Sequence, residues 1–182
     1  MRDWQHLAPA ALGAILCLAA TAEATVFYSR DEALRVAFPS ADRTEPRDYF
    51  LTPEQHETIE RTARSPLASD LITVYFGYAG DKLLGYALFD THVVRTLPET
   101  FLTVLSPEGV VISTYVVAFH EPLEYLPHER WMRQLEGKKM GDDLQVGRGI
   151  AAITGATLSS NAVAGGVRRA LAIYAVLLAA PQ

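Results

Sequence analysis

The sequence predicts an α+β fold, an antiparallel sheet with helices packed on it. Three observations carry this. Aromatic and β-branched runs at 71–79 and 82–90, and again at 101–106 and 110–119, come as two pairs split by Gly80-Asp81 and by Pro107-Glu108-Gly109. Such pairs read as hairpins, because glycine and proline supply the backbone angles a tight turn needs. Helical text flanks them on both sides, and the last segment repeats apolar residues at three- and four-residue steps: Val163, Val167, Leu171, Tyr174, Leu178.

The elements follow in order. Residues 31–38 (DEALRVAF) form a short helix stopped by Pro39, and the polar stretch 39–50 reads as irregular. Thr52-Pro53-Glu54-Gln55 is a helix start, with Thr52 as cap, Pro53 in the first turn and Gln55 closing a capping box; that helix runs to about Ala63. Residues 92–96 extend the second strand. The strand faces do not alternate cleanly, which predicts a sheet covered on one face by helix. Residues 127–136 form a helix ending at Gly137, and the last helix begins between Leu158 and Asn161 and runs to about Leu178. Gly165 and Gly166 either weaken it or admit a close neighbour.

The chain has 182 residues, room for one sizeable core. Its formal charge of -5 argues against nucleic acid as a partner. The first 24 residues read as a secretory signal: an apolar run over 7–20, shorter than the roughly 20 residues of a spanning helix, then Ala22-Glu23-Ala24 as a cleavage site. An uncleaved anchor is the other reading. Cys17, the one cysteine, lies in this run behind Leu16, which is too large for a lipoprotein signal, and no disulfide framework or multi-thiolate zinc site can be built from it. The organisation expected is a signal peptide (1–24), an N-terminal helical segment (25–69) and the main domain (70–182), placed outside the cytoplasm: in the periplasm or on the outer face of the cytoplasmic membrane.

The informative stretch is Thr154-Gly155-Ala156-Thr157-Leu158-Ser159-Ser160, directly before the last helix. A helix N-terminus carries unpaired N–H groups and a partial positive charge, small residues allow close approach, and four hydroxyls stand nearby. That suits a phosphate. Helix capping by serine and threonine is the plainer reading, but it does not explain Gly155-Ala156 wedged between two threonines.

This stretch resembles the flavinylation motif of the FMN-binding domain family, to which the C subunit of sodium-pumping NADH:quinone reductase and the G subunit of the Rnf complex belong. The family motif is Asp-x-x-[Ser/Thr]-Gly-Ala-Thr, often continued by x-[Ser/Thr]-Ser. The resemblance implies FMN bound through a phosphoester at Thr157, with Thr154, Gly155, Ala156, Leu158, Ser159 and Ser160 shaping the phosphate site. It implies a flavin transferase as the attaching enzyme, and a membrane redox complex or another electron carrier as partner. The strand–turn–strand pattern around Gly109, His120-Glu121 and Gly137-Lys138 fits the family outline more loosely. The motif's leading acid falls on Ala151, and the segment after Glu121 reads Pro122-Leu123-Glu124.

Thr157 is on this reading a tether, so no catalytic residue is assigned. The alternative is a non-redox binding or assembly module on the same fold, with non-covalent FMN or none. A serine hydrolase ranks behind both, since Gly-x-Ser-x-Gly is absent. His56, His92 and His128 read as scattered surface residues without metal-ligand spacing, His120 as solvated at a sheet edge or close to a flavin, and Arg168 and Arg169 as a solvated helix face. Trp131, Tyr75, Tyr78, Tyr86 and Tyr115 read as core or sheet aromatics.

Overall fold

The structure is a computed structural model and describes residues 25–179. The segment read as a leader, with its expected cleavage site and Cys17, lies outside the described residues. Six strands form one antiparallel sheet in the order β1-β6-β5-β4-β3-β2: β1 (Thr25–Val26), β2 (Arg43–Phe50), β3 (Leu71–Ala79), β4 (Lys82–Val94), β5 (Leu97–Leu105) and β6 (Val111–Phe119). The helices are α1 (Arg30–Ala37), α2 (Pro53–Ala63), α3 (Glu129–Met132) and α4 (Thr157–Ile173). The α+β class read from the sequence is the class observed.

Local chemistry sets the helix starts. Ser29 accepts the amide of Glu32 while the Glu32 carboxylate accepts the amide of Ser29, and Thr52 and Gln55 repeat this exchange at α2. Each such box satisfies two orphan donors of the first turn. The predicted 127–136 helix is shorter than expected. His128 caps a four-residue α3, and a 3-10 turn over Arg133–Leu135 follows it. The last helix continues past α4 as a π turn over Tyr174–Leu178. The 22 residues of Thr157–Leu178 are long and apolar enough to cross a membrane, yet half of their most apolar stretch is buried inside the protein. That burial is the pattern of a core helix.

Two expectations are corrected. Residues 43–50 are a strand, β2, paired with β3 over eight positions from Arg43↔Tyr78 to Phe50↔Leu71. It is an edge strand and mostly exposed, which is why it reads as polar text and why Pro46 is tolerated in it. The sheet is also covered on both faces. Tyr86 and Leu88 of β4 pack with α2 and α4, while Ala87 packs with Leu34, Ala37 and Phe38 at the other face. Burial of both faces removes the polar alternation, so the unalternating runs reflect a sandwiched sheet.

The α1 side depends on a close approach. A Cβ built at Gly77 would lie 2.6 Å from the Phe38 ring. We expect Gly77→Ala to destabilise the protein by about 1–3 kcal/mol through overpacking, measured by urea denaturation. Unchanged stability would mean that α1 shifts freely on the sheet.

Beyond Tyr75↔Ala87 the strands β3 and β4 part. Residues 71–74 pair only with β2, and 88–94 pair only with β5. The split holds a cleft of about 860 Å³, with Asp90, His92, Thr100, Gly166 and Arg169 among its lining.

Candidate functional site

The segment before α4 is pinned at its backbone. The Trp131 indole donates to the Ala151 carbonyl at 2.5 Å, and the Ala151 amide donates to Gln134 Oε1 at 2.9 Å. Trp131 is itself core, 2% exposed. The side chain of Ala151 faces solvent. Gly155 then adopts φ +88°, a left-handed conformation that glycine takes without steric cost, and nothing lies within 4 Å of where a Cβ would stand.

Helix α4 starts at Thr157 behind Ala156, and no side chain caps it. The serines and threonines of the motif therefore do not act as N-caps, in contrast to Ser29 and Thr52. Thr154, Gly155, Thr157 and Leu158 are exposed, while Ala156, Ser159 and Ser160 are buried. The Thr157 hydroxyl donates to the Ile153 carbonyl at 3.2 Å, and the Ser160 hydroxyl to the Ala156 carbonyl at 2.7 Å. The Ser159 hydroxyl donates inward to Glu99 Oε1 at 2.8 Å. An accessible hydroxyl thus stands in the first turn of a 17-residue helix whose N-terminal amides are left without a side-chain cap. Open space over Gly155, uncapped amides and a reactive-type oxygen together fit a phosphate and its ester.

Below this turn lies a polar chain that the sequence reading missed. Glu99 is fully buried on β5, opposite His92 of β4. His92 Nδ1 lies 2.7 Å from Asp90 Oδ1, and Asp90 takes two bonds from the Arg169 guanidinium, each 2.7 Å. Arg169 also bonds the Ser65 hydroxyl. Burial alone would push the Asp90 carboxyl up, but His92 and Arg169 overcome it and hold the carboxyl at about 2. Burial would likewise lower the His92 imidazole, yet the flanking Asp90 and Glu99 carboxylates raise it above its ordinary value. Gly166 faces Asp90, with the Asp90 Cγ 3.2 Å from a Cβ built there, so that glycine serves close approach. A legible signal for the pair existed. With the β4–β5 turn placed at Arg95-Thr96, counting back pairs 94 with 97 and hence 92 with 99. Starting β5 at 101 hid it.

The two arginines and the histidines are not solvated decoration. Arg168 bonds the carbonyls of Ala63 and Leu144 at 2.8 and 3.2 Å. His56 lies between Asp70 and Glu60, His128 caps α3, and His120 Nδ1 is 2.9 Å from the Pro98 carbonyl. Glu121 is buried and accepts the amides of Thr96 and Leu97 at 3.1 and 3.0 Å, clasping the β4–β5 turn. Arg95, at the tip of that turn, lies over the Tyr125 ring at 4.1 Å.

The fold and this site fit a domain that seats a phosphate at the start of a helix. Residues 96–172 match the model of the FMN-binding domain family, and this similarity supports FMN as the cofactor. Among curated proteins, the chain is similar to the G subunit of the Na(+)-translocating ferredoxin:NAD(+) oxidoreductase complex of Acetobacterium woodii, with 29% identity over 122 residues. That match covers 58% of this chain and 56% of the relative, so the chain spans about half the length of that relative.

Proposed function

We propose that this protein is an exported flavoprotein domain that carries electrons between a membrane redox complex and another carrier, with FMN tethered through its phosphate to Thr157. The observation that carries the reading is the exposed Thr157 hydroxyl in the uncapped first turn of α4, inside the segment matched to the FMN-binding domain. The similarity to a component of an ion-translocating oxidoreductase complex supports the membrane partner. The leader supports export, in the periplasm or on the outer face of the cytoplasmic membrane.

When bound, FMN supplies a ring that exchanges electrons one or two at a time. The chain supplies the seat. Thr157 Oγ1 would hold the phosphate. In a transfer from an activated flavin nucleotide on a flavin transferase, the Oγ1–P bond would form as the hydroxyl proton is lost and the bond from phosphorus to the nucleotide leaving group breaks. Gly155 leaves room for the phosphate, Thr154 offers a second exposed hydroxyl, and the α4 amides face the negative charge. Ala156 and Leu158 flank the acceptor; Ser159 and Ser160 hold the turn from inside. A tether prevents loss of the cofactor by dilution outside the cell. Intact mass after co-expression with a flavin transferase tests this: one FMN less one water should be added to the wild type and absent from Thr157→Ala.

Position 151 gives an independent prediction. Its side chain is exposed and its backbone is already anchored, so Ala151→Asp restores the motif's acid without disturbing the fold. We expect a larger flavinylated fraction at a fixed co-expression time, read by mass. An unchanged fraction would show that attachment does not use this acid.

A further inference from the structure

Two buried polar atoms beneath the first turn of α4 have no hydrogen-bond partner: His92 Nε2 and Glu99 Oε2. They face each other at 3.8 Å, too far for a normal hydrogen bond and close enough for strong electrostatic coupling. With its Nδ1–H given to Asp90, a neutral His92 would aim a lone pair at a carboxylate oxygen inside the protein. Two acceptors cannot stably face each other there. A proton between them removes the conflict.

We propose that His92 and Glu99 are positioning residues that hold one proton under the first turn of α4 and, through the Ser159 hydroxyl, tune the group anchored on that turn. This rests on the FMN reading above and deepens it. The charged groups facing His92 are Asp90 on its own strand, Glu99 on β5 and Arg169 on α4; the first two favour the imidazolium and the third opposes it. Phe101 stacks on the ring at 5.7 Å and shields it. The proton enters from solvent through the cleft that His92 lines, and the one bond formed is N–H at Nε2. With that proton the pair is neutral overall. Without it, the negative charge of the His92–Glu99 pair has no counterpart, and among the described residues the Ser159 hydroxyl, two residues from Thr157, is the hydrogen-bond partner of Glu99. Loss of the shared proton would disfavour electron uptake by a flavin held there.

The test has two arms. In the flavin-free protein, side-chain nitrogen NMR should show His92 titrating above the ordinary histidine value and falling in Glu99→Gln. The Ser159 and Ser160 amide shifts should follow the same curve in the wild type and lose it in Glu99→Gln. Flat Ser159 and Ser160 amides, or a His92 transition indifferent to Glu99→Gln, would overturn the proposal. In the FMN-loaded protein, the midpoint potential should step downward as pH rises through the His92 transition. His92→Gln should lie at the lower potential throughout, with no step. Superimposable potential curves for the wild type and a folded His92→Gln would also overturn it. If the NMR arm succeeds while no FMN is taken up, the flavoprotein reading fails and the proton-holding pair stands by itself.

Discussion

Asp90→Ala is expected to cost about 3 kcal/mol of stability, the largest loss we anticipate from any single side chain here. Asp90 and Arg169 are 18% and 13% exposed at their side chains, and the guanidinium makes both of its carboxylate bonds to this one residue. Truncation strands a largely buried arginine against the sheet and removes the Nδ1 partner of His92. The same group sets an acid limit. An aspartate held at about 2 when folded, against 3.8 when unfolded, adds about 2 kcal/mol above the unfolded value. That contribution is lost as pH falls through 3.8 toward about 2. His92 works in the opposite sense: its raised value adds stability below 6.5 that fades as pH rises through its folded transition. Urea midpoints across pH should therefore fall in acid for the wild type and fall less steeply for Asp90→Ala. An Asp90→Ala protein as stable as the wild type at neutral pH would remove the buried pair from the account.

Thr157→Ala should abolish covalent FMN, an all-or-none effect, because an ester needs an oxygen and no neighbouring hydroxyl occupies the same place. Thr154 lies before the left-handed Gly155, outside the helix, and the Ser159 and Ser160 hydroxyls are buried and engaged. Thr157 is exposed and, among the described residues, its hydroxyl bonds just the local Ile153 carbonyl, so the loss should come with little change in stability. An adduct that survives Thr157→Ala would move the acceptor to Thr154 and change the geometry of the whole site.

The parts of the fold that were legible were those decided by local chemistry. Thr52-Pro53-Gln55 announced α2, and Gly80-Asp81 and Pro107-Gly109 announced two hairpins. Strand β2 was hidden because RTEPRDYF has no strand pattern of its own; pairing with β3 makes it a strand. The cover on the second face was hidden because α1 is short and its contacts are distant in sequence. At the site, the [Ser/Thr]-Gly-Ala-Thr run gave the FMN class and singled out the hydroxyl that proved accessible. It did not reveal which way each hydroxyl points. Ser159 turns inward because residue 159 lies on the face of α4 that meets Glu99, and that meeting depends on the β4–β5 register. Arg169 read as solvent-facing for the same reason, since its partner is 79 residues away.

The most direct test of the tethered-flavin account is the absorbance spectrum of the protein, purified after co-expression with a flavin transferase, before and after denaturation and desalting. We predict a flavin spectrum in both samples, at about one FMN per chain. A yellow protein that loses its chromophore on unfolding would contradict the tether at Thr157, and a colourless one that also takes up no added FMN would contradict the flavoprotein reading itself.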